Sequence, residues 1–460
     1  MMYRVAVLFF AVSVFWGYPV LADEPSQSSR PDLSEAISAS HNPSQLLQVA
    51  NAAVARDQLD IAIQAMNRLV EIRPYHQGYA LQLVALHAQA NDLSNAFDRL
   101  YKLSEQGMAA DLDAIPGLDS MRQYPLYAHI RDAMKEANDP VGKLSQVAQL
   151  DRDDFSASSV AMVGEHYIVG SIRTGEVISV SESGETRVLV DAEAGRQLGS
   201  VSAMVPTADG EHLWLAVNDL AQHLGHDPAD VSPPTLVKIN LDGEVLRRVS
   251  LPQAEQPGQL ADIEVATDGT VYAVDQRHAA IYRAAIDAEQ AELIGSAPRL
   301  TSLRAVTLVD DERKLIVADY SLGLIAMDLS TMQPSMLAAS ENLNLGGIES
   351  LAASGQVLMA VQSGFSPERI LRLELDEAFN VVARGVVQAK AHPEFMYPMR
   401  GQIHAEQFIF VANSYLPLLG NAGEYAEGVE RGSVSLMATP LEAAQAPKSS
   451  NEPPEMLRRR

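Results

Sequence analysis

Asp262, Arg304, Glu349 and Arg400, with Ser158 and Ser202, occupy one recurring position of a repeated pattern and are the residues best placed to do chemistry in this chain. A carboxylate can ligate a hard cation or manage a proton. A guanidinium is a planar fork of donors that suits a small anion, and it cannot ligate a metal. The mixture points in two directions. If each arginine neutralises a carboxylate, the four form a paired network, because a lone charge inside a narrow channel carries a large desolvation cost. The expected pairs are those on successive repeats, Asp262 with Arg304 and Glu349 with Arg400. If one arginine is free, it clamps a small anionic ligand while Asp262 or Glu349 orients the rest of it.

The repeat that places these residues is read most easily from Gln259 to Asp275, QLADIEVATDGTVYAVD, followed by HAAIYRA. Two alternating runs joined by Asp-Gly, a short turn and a third run form the inner three strands of an antiparallel blade. The same grammar recurs in SSVAMVGEHYIVGS, VSAMVPTADGEHLWLAVN, LRAVTLVDDERKLIVAD, IESLAASGQVLMAVQ and RGQIHAEQFIFVAN. Second strands end at Ser171, Asn218, Asp275, Asp319, Gln362 and Asn413; counting back thirteen residues reaches Ser158, Asp262, Glu349 and Arg400, and longer turns shift the count to Ser202 and Arg304. Six blades of one small sheet each predict a β-propeller over residues 144–440, with 144–150 closing the last blade. Asp275, Asp319 and Asn413 are expected to accept backbone N–H groups in the turns that follow.

The formal charge of −25 argues against nucleic acid or an anionic membrane as partner. With no cysteine, disulfides, thiolate nucleophiles and cysteine-held metals are excluded. Gly-x-Ser-x-Gly, the phosphate-loop pattern and HExxH are missing too. Residues 1–22 read as an export signal: Arg4, the apolar run Val5 to Trp16, then Val20-Leu21-Ala22. The chain is expected in the periplasm or secreted, with no stable membrane insertion after cleavage. Residues 23–42 and 441–460 are expected to be a disordered linker and tail.

Residues 43–137 carry helical periodicity. Ala62 and Ala96, Leu69 and Leu103, and the turn residues Asp57 and Asn91 share an offset of 34. Two helical hairpins follow, with the alanines at the tight crossings. This resembles the tetratricopeptide repeat, so the fold class is multidomain alpha and beta, helical hairpins before a propeller.

The runs ADIEVATDGTVYAVD, RAVTLVDDERKLIVADYSLGLIAMDL and HPEFMYPMRGQIHAEQFIFVANS resemble the six-bladed superfamily of senescence marker protein and gluconolactonase-like proteins, and more distantly NHL and strictosidine-synthase-like propellers. The resemblance implies a calcium or zinc ion held on the axis by Glu, Asn and Asp. Asp262 and Glu349 match that chemistry; Arg304 and Arg400 do not, and the asparagines are missing. Binding of a protein partner or a small anionic ligand, without catalytic residues or a cofactor, is therefore the leading expectation. The alternative is a metal-dependent lactonase acting on a cyclic ester. The insertion from Asn218 to Pro234, holding His223 and His226, is expected to roof one channel mouth. Phe365, Tyr415, Leu416, Leu418, Leu419 and Tyr425 supply an apolar fringe for a ligand or for docking of the helices.

Overall fold

Near-continuous apolar strands such as Leu315-Ile316-Val317-Ala318 have both faces covered. In the computed structural model, which describes residues 33–428 and 430–444, Leu315 and Val317 pack toward the third blade while Ile316 and Ala318 pack toward the fifth. Every pair of neighbouring blades shares such an apolar cluster. The result is a six-bladed β-propeller.

The innermost strands are Ala157–Val163, Ser200–Pro206, Leu260–Val265, Leu303–Val309, Ser350–Ser354 and Gly401–His404. Each touches the next, and the sixth touches the first, so blade three faces blade six across the axis. Closure uses Ser145–Leu150, which pairs antiparallel with Val434–Pro440 as the outer strand of blade six. The ring therefore has no open join between its ends. Blade five carries an extra strand, Val141–Gly142, paired to Val382–Lys390.

The turn acids do what Asx residues do at strand ends. Asp275 Oδ1 accepts from the N–H groups of Gln259, Arg277 and His278. Asp319 accepts from Thr301, Ser321 and Leu322, and Asn413 Oδ1 from Ser435.

Before the propeller, α1 (Leu33–Ala39), α2 (Pro43–Val54), α3 (Leu59–Ile72), α4 (Gln77–Gln89), α5 (Leu93–Glu105) and α6 (Pro125–Glu136) form a helical layer. The hairpins α2–α3 and α4–α5 turn at Asp57 and Asn91, both at φ 58°, a left-handed conformation that short polar side chains tolerate. Ala62 and Ala96 are fully buried at equivalent places. Helix α1 corrects the expectation of a disordered linker through residue 42: Ile37 is buried among α2, α3 and α4, and Ser34 O accepts from Gln64 Nε2 at 3.3 Å. Residues 1–32, with the expected export signal, and 445–460 lie outside the described residues. Leu441, expected in a disordered tail, is buried against blades five and six, with its N–H donated to Glu406 O.

The helical layer is bound to blades four and five. Tyr75 N donates to Ser321 O and Ala109 N to Ser366 O, and Phe365 inserts into the α4–α6 core. Arg369 is the clasp: it is buried, donates from Nη1 to Gln106 O at 2.8 Å and from Nε to Gln362 Oε1, and lies 3.6 Å from the Phe365 ring centroid. Desolvation pushes its guanidinium down to about 9. Truncating it strands two buried acceptors, so Arg369→Ala should cost about 2 kcal/mol in urea unfolding and loosen α5 first, read as faster amide exchange there.

Candidate functional site

Four of the six innermost strands carry one surplus residue against their partner. It is Ser158 in blade one, Ser202 in blade two, Ala261 in blade three and Arg304 in blade four. Such a bulge re-aims the side chains around it. The counted register therefore slips by one in blade three, and Asp262 sits a step past its bulge. Strand alternation then turns Asp262 and Glu264 to the same side.

Arg400 leaves blade six and spans the axis. Its Nε lies 3.2 Å from Asp262 Oδ1 without hydrogen-bond alignment, and its Nη2 donates to Arg304 O at 3.1 Å. Asp262 Oδ2 accepts from Val306 N at 3.1 Å. Arg304 faces Glu349 at 3.5 Å, donates from Nε to Ser302 Oγ, and stands 5.0 Å from the Tyr320 ring centroid. Tyr397 O–H donates to Glu349 Oε1 at 3.0 Å. Both arginines are paired, but the partners are exchanged relative to the expected Asp262–Arg304 and Glu349–Arg400 pairs. The reason is reach: an arginine is long enough to cross a six-bladed axis to the opposite blade, which leaves Glu349 to its neighbour on blade four.

The Arg400–Asp262 bridge divides the channel into two chambers. One, of about 130 Å³, is lined by Ser202, Arg304, Glu349, Arg400, Gln259 and Gln276, with Leu220, Gln222 and Leu416 from insertions. Those insertions are clasped together, Ala422 N donating to Ala221 O, and Arg173 Nε donates to Gly423 O. The other chamber, of about 210 Å³, is lined by Asp262, Glu264, Thr307, Ser350, Arg400 and Gln402 among apolar neighbours.

Ser202 accepts from Asn218 Nδ2 at 2.7 Å at the edge of the first chamber. Ser158 is fully buried and lines neither chamber; it donates to Gly170 O at 3.1 Å or Val201 O at 2.6 Å, stitching blade one to blade two. Its hydroxyl is taken up by those carbonyls between the two blades and so does not reach the channel. Of the expected apolar fringe, Phe365 serves the docking of the helices by entering their core, while Leu416 lines the roofed chamber. His226 is held by Asp219 at 2.6 Å, and His223 is buried, with desolvation holding its imidazole below its ordinary range.

Burial sets the electrostatics. Desolvation pushes Asp262 up to about 6 despite the Arg400 charge. Glu264 is pushed up to about 8, by desolvation first and then by the Asp262 charge. Tyr397 is driven above the ordinary phenol range by burial and by the Glu349 carboxylate. Sequence reasoning missed Glu264, although its position two residues after Asp262 in a strand was the signal. It also missed Tyr320 and Tyr397, which come from loops with no periodicity.

The channel carboxylates do not fit the calcium or zinc ion of the resemblance. A hard dication needs several oxygens, and here a guanidinium stands against both Asp262 and Glu349. Among the described residues, the one group of three acidic or histidine side chains close enough to share an ion is Asp209, Glu211 and His212, in the turn between the first two strands of blade two and outside both chambers.

No protein-family profile matches the chain, and no curated protein matches it at a significant level. Among solved structures it is similar to the PQQ-bound aldose sugar dehydrogenase of Streptomyces coelicolor (12% identity, TM-score 0.43, 65% of this chain and 100% of that one). It is similar also to a candidate gluconolactonase (10%, 0.43, 64% and 91%) and to virginiamycin B lyase from Staphylococcus aureus (12%, 0.42, 65% and 99%). The six-bladed ring itself rests on the strand pairing described above, and likeness at this level assigns no activity to the chain.

Proposed function

We propose that the chain is a binding protein whose roofed chamber takes a small anionic ligand. The observation that carries this reading is Arg304. Its side chain is 27% exposed, lies over the Tyr320 ring, faces Glu349 at 3.5 Å, and lines a chamber that Gln222, Gln259 and Gln276 also line. A guanidinium already oriented by an aromatic face and a neighbour loses little freedom on meeting a carboxylate. The amides supply donors for the remaining oxygens, and Ser202 adds a hydroxyl. The chamber limits the ligand to a few heavy atoms unless the clasped insertions open.

The alternative lactonase reading requires a dication that the paired carboxylates do not suit, and it gains no support from the geometry. The helical layer is read as a brace for blades four and five, its buried faces being occupied by its own core and by the propeller. Export by residues 1–22 belongs to the same proposal and is tested by cell fractionation.

Calorimetric titration of the full chain with acetate, malonate and succinate tests the site. At least one is expected to bind with one-to-one stoichiometry, and Arg304→Gln to weaken it at least about tenfold. Absence of binding across the panel, or indifference to Arg304→Gln, overturns the reading.

A further inference from the structure

The channel holds one carboxylate more than its arginines neutralise. Arg400 answers Asp262 and Arg304 answers Glu349, whereas Glu264 enters no ion pair among the described residues. Its carboxyl lines the second chamber, on the far side of the Arg400–Asp262 bridge from the clasped insertions, with the Thr307 hydroxyl as its side-chain hydrogen-bond partner. Met204, Leu308, Leu351 and Ile403 also border it, but their side chains pack in or against the cores between blades, and more of the chamber's exposed lining is polar than apolar. We propose that this second chamber is a binding site for a small primary alkylammonium, its head on Glu264 and Thr307.

The chemistry discriminates among ligand classes. Once Glu264 is ionised, an anion placed here meets two carboxylates against the one Arg400 guanidinium and is repelled. A dication needs several oxygen ligands and meets the Arg400 guanidinium at the chamber floor. A neutral alcohol has no charge to answer Glu264. An ammonium has three donors and one charge, and pairing in a partly desolvated chamber strengthens both. A chamber of about 210 Å³ holds a metabolite-sized chain and excludes larger ligands.

Glu264 is mostly protonated at neutral pH, because burial and the Asp262 charge raise it to about 8, with Glu312 adding to the same direction. Arg400 is the cation facing this chamber. Ammonium binding must therefore displace a proton from Glu264 and should strengthen as pH rises through that value.

The test is calorimetric titration of the full chain with n-butylammonium chloride at pH 6 and pH 9, at ionic strength matched with choline chloride, with n-butanol and butyrate as controls. One-to-one binding at pH 9, weaker by about tenfold or more at pH 6, is expected. Glu264→Gln should abolish it at both pH values, with folding confirmed by its melting curve, while Arg304→Gln leaves it unchanged. The pH comparison in the parent protein serves even if the variant fails to fold. Absence of binding at pH 9, equal binding at both pH values, or loss with Arg304→Gln instead overturns the proposal. Failure of the carboxylate panel does not touch it, since the two chambers are read separately.

Discussion

Arg400→Met should unfold about 3–5 kcal/mol more readily than the parent at pH 8, because it leaves the Asp262 carboxylate buried with no cation beside it. The size of the effect depends on pH in a defined direction. Asp262 has a folded-state pKa of about 6, above its ordinary value of 3.8, so the folded chain binds the extra proton and stability from this group falls as pH rises across that window. Without Arg400 the carboxyl is raised further and the window extends upward. At pH 4 Asp262 is protonated in either protein, and the deficit should shrink to about 1–2 kcal/mol for the lost bond to Arg304 O and lost packing. Asp262→Asn combined with Arg400→Met should recover most of the loss at pH 8, since a buried pair replaced as a pair costs little. Urea unfolding at the two pH values reads the parent and both variants.

Glu264→Gln is expected to act in the opposite sense and stabilise the chain by about 2–4 kcal/mol at pH 9. The folded-state value of about 8 lies above the ordinary 4.5, so the parent loses stability progressively as pH rises between them. Glutamine carries no proton to lose and keeps the shape that meets Thr307. The gain should vanish near pH 4, where glutamate is neutral in both folded and unfolded chains. A gain that does not change with pH would mean that Glu264 is solvated like a surface carboxylate. Loss of stability would mean that its ionised form has a partner in the fold.

The blades were legible in the sequence because their strands are buried on both faces and punctuated by Asp-Gly or acidic turns, as at Val265 to Val271. The helical hairpins were legible through the shared spacing of Asp57 and Asn91, which the structure puts in the same left-handed turn. The short helix Ala192–Leu198 was overlooked, although Asp191 at its start accepts from the N–H groups of Glu193 and Ala194 and is a readable cap. The site was legible as a set of residue types but not as a set of contacts. A bulge at Ala261 rather than at Asp262 moves one carboxylate along the channel, and counting from strand ends cannot detect it. Which arginine meets which carboxylate depends on blade three standing opposite blade six and on the length of the Arg400 side chain. Ser158 shows the converse: a residue in the right place in the count was consumed by the backbone carbonyls of its own and the next blade.

A channel cut in two by a cross-axis ion pair is the claim on which both proposed chambers depend, and a double-mutant cycle addresses it directly. Unfolding free energies at pH 8 for Asp262→Asn, Arg400→Met and their combination should give a coupling of about 2 kcal/mol or more, while the cycle of Asp262→Asn with Arg304→Gln should couple by less than about 0.5 kcal/mol. Strong coupling of Asp262 to Arg304 with none to Arg400 would contradict the account, because it would restore the neighbour pairing and leave the axis undivided.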